Sequence, residues 1–422
     1  MRIILCFLFI VFFSCKKQEE KRELVEADAQ MELVKTIKNP AALHSQTPNL
    51  FANQEGLWMS WLNTKDSTDF LKFAHYKNGS WKATSTAASG NDWFVNWADF
   101  PAIAINDGSV LTNILQKSDS GAYTYDIKLN LLQTVMRPSM SDSISWKRNI
   151  FLHDDGTKSE HGFVSLQPYG QKSFYAVWLD GRNTAGMSHD SHSGDGGAMT
   201  LRGAIISENG DISREEELDH RVCDCCQTDL TVTKDKQIIV AYRGRSEDEI
   251  RDIKIKKWDE ASGWSGPFTV GNDNWKIAGC PVNGPALASF NNEYAVAWFS
   301  GAKEDPKVQL AFGKGGVNEL DIPIKINSNP TMGRIDLVMI SSTEAVVSWI
   351  EDIGDDTLIQ LLKVDRNGSK GEVMTVAKTS TARASGFPKL ALNDKNIVIA
   401  YTLIERGLPS RIETKMVTLD AL

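Results

Sequence analysis

The sequence predicts an all-β protein, a β-propeller of seven four-stranded blades with its ring closed by an N-terminal strand. Three observations predict it. An apolar run closing on an aromatic residue or its equivalent, followed by a polar turn, recurs seven times at intervals of about 51 to 65 residues. Each copy is preceded by a shorter apolar stretch, and polar turns containing Gly fall at a fixed place within the repeat.

The seven copies centre on Trp61, Asn113, Trp178, Tyr242, Trp298, Trp349 and Tyr401. Their preceding stretches read TPNLF, FPAIAI, GFVSL, QTDLTV, NGPALA, GRIDLV and GFPKLA. The fifth repeat shows four strands most plainly, as PALASF, YAVAWFS, KVQLAFG and DIPIKIN. The second repeat carries Asn113 where the others carry Trp or Tyr, which leaves six blades as the alternative. The last repeat shows three strands and stops. The alternating segment from Glu32 to Ile37 supplies a fourth, and such sharing removes an exposed sheet edge.

One regular repeat accounts for nearly all 422 residues, so residues 31–422 read as a single domain. A hydrophobic content of 41% with 24% charge is that of a globular chain, and 12 Trp suit sheets stacked face to face. The net charge of −8 offers no basic field for a phosphate backbone, which argues against nucleic acid and against acidic polymers as partners.

Residues 1–14 read as an export signal: Arg2 is the positive flank and Ile3 to Phe13 an apolar core too short to span a bilayer. Phe13-Ser14-Cys15 resembles the end of a bacterial lipobox, and that resemblance implies lipidation of Cys15 and a lipid membrane as partner. A plain secretory signal or a small N-terminal anchor is the alternative, and export follows from each. The charged run Lys16-Lys17-Gln18-Glu19-Glu20 is similar to surface-export signals of Bacteroidetes lipoproteins. The expectation is a monomer anchored in the outer membrane, periplasmic or surface-exposed, with residues 15–30 as a polar tether.

In the turns between third and fourth strands, Lys77-Asn78-Gly79-Ser80-Trp81, Glu208-Asn209-Gly210-Asp211, Glu260-Ala261-Ser262-Gly263-Trp264 and Asp365-Arg366-Asn367-Gly368-Ser369 read as tight hairpins with Gly or Asn at positive φ. They also resemble decayed Asp-box turns of the sialidase-like family of BNR-repeat propellers. That family implies a site of converging arginines for a sugar carboxylate, a Tyr with a Glu partner as nucleophile and an acidic residue for proton transfer, the equipment of an exo-acting glycoside hydrolase. The candidates here are Glu160, Asp99, Asp180, Tyr242, Arg182, Arg221, Arg243, Arg334 and Arg383. The family's opening Arg-Ile-Pro motif is absent, and the first repeat begins Ser45-Gln46-Thr47-Pro48-Asn49.

Strands alternate in direction within a blade, so the loops leading into first strands and the loops joining second to third strands share one face. Trp93, Trp97, Asp99, Glu160, His161, His220, Cys280, Asn283, Arg334 and Arg383 fall in or beside the first class, and Asp180, Arg182, His189, His192, Asp195, Arg243 and Arg245 in or beside the second. Blades three to five thus supply a charged mouth at which a ligand or partner, a glycan or an envelope protein, is expected. Trp93, Trp97, His161, His189, His192, Asp195, Arg245 and Asn283 are its candidate ligand-binding residues.

Removing the signal and lipidating Cys15 leaves Cys223, Cys225, Cys226 and Cys280. Three chemistries fit this set: disulfides in an oxidising compartment, with Cys280 stitched to one member of the trio; Zn(II) or Cu(I) on thiolates with His220 or His161; or a redox-active pair of adjacent Cys225 and Cys226.

Overall fold

The computed structural model describes residues 21–135, 143–186 and 197–422. It contains seven antiparallel sheets in sequence order around a central channel, a seven-bladed propeller. Six-bladed closure is excluded, because the second repeat forms its own sheet from Ile103–Asn106, Ser109–Lys117, Tyr125–Val135 and Ser143–Phe151. Asn113 fills the position of the missing aromatic side chain and accepts the Ala102 amide N–H at 2.8 Å.

The repeated phrase is the second strand of each blade, buried on both faces because it packs between neighbouring sheets. Trp61, Trp178, Trp298, Trp349 and Tyr242 are among the largest fully buried side chains. Three of these rings meet a carboxylate with their polar tip: Trp178 Nε1 donates to Asp180 at 3.0 Å, Trp298 Nε1 to Asp273 at 2.7 Å and Tyr242 Oη to Asp219 at 2.7 Å. The hairpins before the fourth strands have the expected backbone, with Asn78 at φ 54° and Gly79, Gly210, Gly263 and Gly368 all at positive φ.

First strands line the channel, and their side chains stitch each blade to the next. Asp229 accepts the Leu287 N–H at 2.7 Å and Asp336 accepts that of Leu390 at 2.7 Å, and in the loop leading into the second blade Asp99 accepts that of Phe163 at 2.8 Å. Burial pushes the Asp229 carboxyl up to about 7 and raises Asp336 as well.

Ring closure follows the sequence reading. Lys35–Ile37 is the outer strand of the seventh blade, pairing antiparallel with Arg411–Thr418 in the register Lys35 to Met416 and Ile37 to Thr414. The tether expected over residues 15–30 is corrected for its second half: residues 21–33 are helical. Leu24 and Ala27, three residues apart, pack against Ile353 and Leu358 of the sixth blade. Gln30 then exchanges two hydrogen bonds with the outer strand of that blade, to Val373 O at 2.9 Å and from Thr375 N at 2.8 Å. The helix thereby covers an edge that would otherwise be open. Removing residues through Ile37 is expected to cost about 2–4 kcal/mol from the lost ladder and side-chain bonds. Size-exclusion chromatography and a melting curve will show a lower melting temperature and self-association through the bared Arg411–Thr418 edge.

Candidate functional site

A run of residues from Asp92 to Ala102 arches over the end of the channel where first strands begin. Trp97 stacks on Phe387 of the seventh blade, ring centroids 5.8 Å apart, and the Arg334 guanidinium of the sixth lies 5.0 Å from the Trp97 ring. Gln227 of the fourth blade donates to Ala98 O at 2.7 Å across the channel and accepts the Gly284 N–H at 2.9 Å. Phe100 packs beside Phe387, with Lys389 4.6 Å from its ring centroid. The arch is a half-buried aromatic surface pinned by four blades. Beneath it lies a small cavity of about 120 Å³ lined by Asp99, Gln227, Asp229, Asp336 and Lys389.

Behind the arch, Tyr125 Oη donates to Glu160 Oε1 at 2.7 Å and lies 3.4 Å from Asp99 Oδ2. Phe94 stacks on the Tyr125 ring at 4.2 Å, and Tyr125 is fully buried. Gly162 permits this closeness, since a Cβ there would collide with the Asp99 carboxylate. Burial raises Asp99 to about 7, against the Phe163 amide and Tyr125, which favour the anion. Burial also raises Glu160 to about 8, helped by the nearby Asp99 and Asp224 charges and opposed by the Tyr125 hydrogen bond. At neutral pH Glu160 is therefore mostly protonated and Asp99 shared between its two forms, and the Tyr125 phenol is kept from ionising.

Next to it, His161 stacks on His153 with centroids 3.8 Å apart and faces Asp155 and Asp180. Arg182 grips Asp180 through Nε at 2.7 Å and Nη2 at 2.8 Å and reaches Glu215 at 3.0 Å. Burial alone would lower the His161 pKa, and the two carboxylates overcome it and raise it.

The other predicted residues separate by role. Arg243 is buried, donating to the carbonyls of Asn283, Arg251 and Phe299 at 2.9, 2.6 and 2.8 Å, and burial lowers it to about 9. Arg334 likewise donates to Thr381, Ala382 and Gly386 carbonyls. Asn283 bridges these two, accepting the Arg334 N–H at 2.8 Å. Arg245 is held between Asp224 and Glu249. Tyr242 and Trp93 are core residues. Arg221 is half-buried and Arg383 exposed at the rim. The expected convergence of arginines on one carboxylate is thus corrected: Arg182, Arg243 and Arg334 are engaged by the protein's own oxygens. His189, His192, Asp195 and Cys15 lie outside the described residues.

The cysteine alternatives resolve to disulfides, Cys223–Cys226 and Cys225–Cys280, with Cα atoms 5.8 and 6.0 Å apart. A thiolate Zn or Cu centre with His220 is corrected on this ground: the sulfurs are paired, and the His220 side chain is 85% exposed. The adjacent Cys225–Cys226 redox pair is corrected too, each sulfur having another partner. Cys225–Cys280 closes 55 residues and ties the fourth blade's leading loop to the fifth's, a cross-link worth about 4 kcal/mol on chain entropy. Titration of the denatured, unreduced protein is expected to find none of these four thiols free, and reduction to lower the melting temperature.

Tyr125, His153, Asp155 and Phe387 were not among the sequence candidates. His153-Asp154-Asp155-Gly156-Thr157, a polar run leading into the third blade, was a usable signal for two of them; Tyr125 reads as an ordinary strand residue.

No family model matches the chain, and no curated protein does. Among solved structures, a polysaccharide lyase of a new family, an ulvan lyase, is 12% identical with a TM-score of 0.53, covering 92% of this chain and 95% of its own. The chain shares its propeller fold with that lyase. The same enzyme bound to -[GlcA(1-4)Rha3S]- is 13% identical at a TM-score of 0.53, covering 92% and 94%. A Hadza microbial sialidase is 11% identical at a TM-score of 0.49, covering 87% of this chain and 77% of that one.

Proposed function

We propose that the chain is a glycan-binding propeller of the cell envelope, held to a membrane through lipidated Cys15, with its ligand seated at the mouth against the aromatic arch. The observation that carries this reading is the arch itself: Phe94, Trp97 and Phe100 are half-buried, fixed by contacts to the second, fourth, sixth and seventh blades, beside polar groups of the rim. Rigid aromatic surface with polar neighbours suits a sugar, whose C–H faces are apolar and whose hydroxyls need partners. The net charge of −8 and the engagement of Arg182, Arg243 and Arg334 by internal oxygens favour a neutral glycan over a polyanion. The solved lyase with a bound uronate-containing saccharide is consistent with glycan handling on this fold.

A second reading rests on the paired acids. Asp99 and Glu160 share one phenol and retain protons near neutrality, the combination a glycoside hydrolase uses for proton transfer. Full burial of Tyr125 beneath Phe94 places it poorly for attack on a sugar, so binding is the primary reading.

Affinity electrophoresis against neutral and uronate-containing polysaccharides, with reducing ends and unsaturated products assayed in the same samples, separates these readings. Retardation by a neutral glycan without product is expected. Product formation abolished by Glu160→Gln would replace the binding reading with the hydrolytic one, and no retardation by any glycan would refute both.

A further inference from the structure

We propose that the crevice between the third and fourth blades, on the face away from the mouth, binds one neutral pyranose residue of a glycan inside a box of four aromatic rings. The box shares no residue with the arch and stands whether or not the mouth binds a glycan. Tyr169 ends the first strand of the third blade and Tyr175 lies near the start of its second, on either side of a hairpin closed by the pairing of Tyr169 with Ser173. Trp258 and Trp264 are register partners across the hairpin between third and fourth strands of the fourth blade. Hairpins of these two kinds lie opposite the loops that form the mouth.

The rings close on themselves. Trp258 lies 6.2 Å from Tyr169, Tyr169 6.0 Å from Tyr175 and Tyr175 6.2 Å from Trp264 between centroids, at interplanar angles of 77°, 65° and 48°. Rings so inclined stand as walls, and they leave a hollow of about 140 Å³ whose remaining apolar lining is Ile205 and Ile238. One water needs roughly 10–15 Å³ of such space, so the hollow has room for about a dozen heavy atoms, the size of a single sugar ring. Gly203 is needed for the box, because a Cβ there would fall 2.4 Å from Tyr175 Oη.

The polar groups point to a ligand with hydroxyls. Tyr175 is 4% exposed and lines the hollow, yet its Oη has no hydrogen-bond partner among the described residues, unlike the buried Tyr242, whose Oη meets Asp219. Leaving such a group unpaired costs about 1–3 kcal/mol, which a ligand hydroxyl would recover. Burial and the Glu216 charge keep this phenol from ionising, so it can both donate and accept. At the rim, Glu216 Oε2 accepts the Trp264 indole N–H at 2.8 Å and fixes that ring. Arg214, in a bulge of the outer strand at φ 50°, lines the same hollow as a donor. Aromatic walls suit the C–H faces of a sugar, and a donor beside an acceptor suits its hydroxyls.

Charge selects a neutral ligand. Arg214 and Lys256, whose ammonium lies 5.9 Å from the Trp264 ring centroid, are matched by Glu216 and by Glu260 beside Tyr169. Two charges of each sign disfavour an anionic sugar, and they equally disfavour a quaternary ammonium, which aromatic boxes otherwise hold.

The test is a calorimetric titration with neutral tetrasaccharides of glucose, mannose, galactose and xylose, and separately with choline chloride. It compares the intact chain, Trp97→Ala, Trp258→Ala and the double variant. Saturable binding of at least one tetrasaccharide by Trp97→Ala is expected, weakened at least about tenfold in the double variant. Should Trp258→Ala fail to fold, Arg214→Ala, at an exposed position, is expected to weaken the same saccharide about tenfold in the Trp97→Ala background. Binding abolished by Trp97→Ala and unchanged in Trp258→Ala would overturn the box while leaving the mouth reading intact, and the converse would support the box and overturn the mouth. Absence of saccharide binding to Trp97→Ala, equal affinity of the folded double variant, or binding of choline alone likewise overturns it.

Discussion

Replacing Arg243 by Ala is expected to destabilise the protein by about 3–5 kcal/mol, read as a lower urea midpoint. The guanidinium joins carbonyls contributed by Arg251 of the fourth blade, Phe299 of the fifth and Asn283 of the loop between them, and it lies 5.0 Å from the Trp275 ring. Truncation leaves three acceptors in a dry interface without a donor. Arg243→Lys is expected to recover only part of the loss, because an ammonium cannot present the planar fork that reaches three oxygens at once. Arg383→Ala, at the exposed rim, is expected to change stability by less than about 0.5 kcal/mol. Equal, small effects at Arg243 and Arg383 would contradict the assignment of Arg243 to the scaffold.

The second large effect is pH dependence. Asp99 and Glu160 have folded pKa values of about 7 and about 8, above the ordinary values of 3.8 and 4.5, so the folded state holds these protons more tightly than the unfolded state. Their contribution is full below about pH 4 and is lost as pH rises through 7 and 8, up to about 4 kcal/mol for Asp99 alone. Asp229 acts in the same direction. Asp155, Asp180 and Glu249, whose partners hold them below the ordinary range, act oppositely and lose their contribution as the solution becomes more acid than about pH 4. Stability is therefore expected to peak near pH 4 to 5 and to decline from there to about pH 8. Melting curves across this range check it, and the double variant Asp99→Asn, Glu160→Gln should flatten the alkaline side. A wild-type melting temperature that rises from pH 5 to pH 8.5 would refute the neutral-acid pair.

The scaffold was legible because each second strand is buried on both faces, which forces a contiguous apolar run ending in a large ring and makes the repeat countable. Even the irregular copy at Asn113 kept its place, since a hydrogen bond to Ala102 substitutes for aromatic packing. Ring closure was legible from the alternation at Glu32 to Ile37 and the missing last strand. The helix over residues 21–33 was not, because a short apolar stripe at Leu24 and Ala27 is weak without sight of the groove on the sixth blade that receives it. Loop class correctly gathered Asp99, Glu160, His161, Asp180 and Arg182 on one side. It could not tell substrate-facing arginines from those of the frame, for Arg243 and Arg334 bind main-chain carbonyls, which have no sequence signature. The arch was equally hidden: its partners Gln227, Arg334 and Phe387 lie far along the chain and meet Ala98 and Trp97 only when the ring closes.

The most direct measurement is a calorimetric titration of the intact protein and its Trp97→Ala variant with a neutral glycan retained in affinity electrophoresis. Trp97 touches Phe387 and Arg334 at the rim and lies outside the blade cores, so the variant is expected to fold. The account predicts saturable binding by the unaltered chain and at least about tenfold weaker binding by the variant, the loss of one aromatic anchor, with the melting temperature nearly unchanged. Equal affinity of the two folded proteins would contradict a ligand seated on the arch.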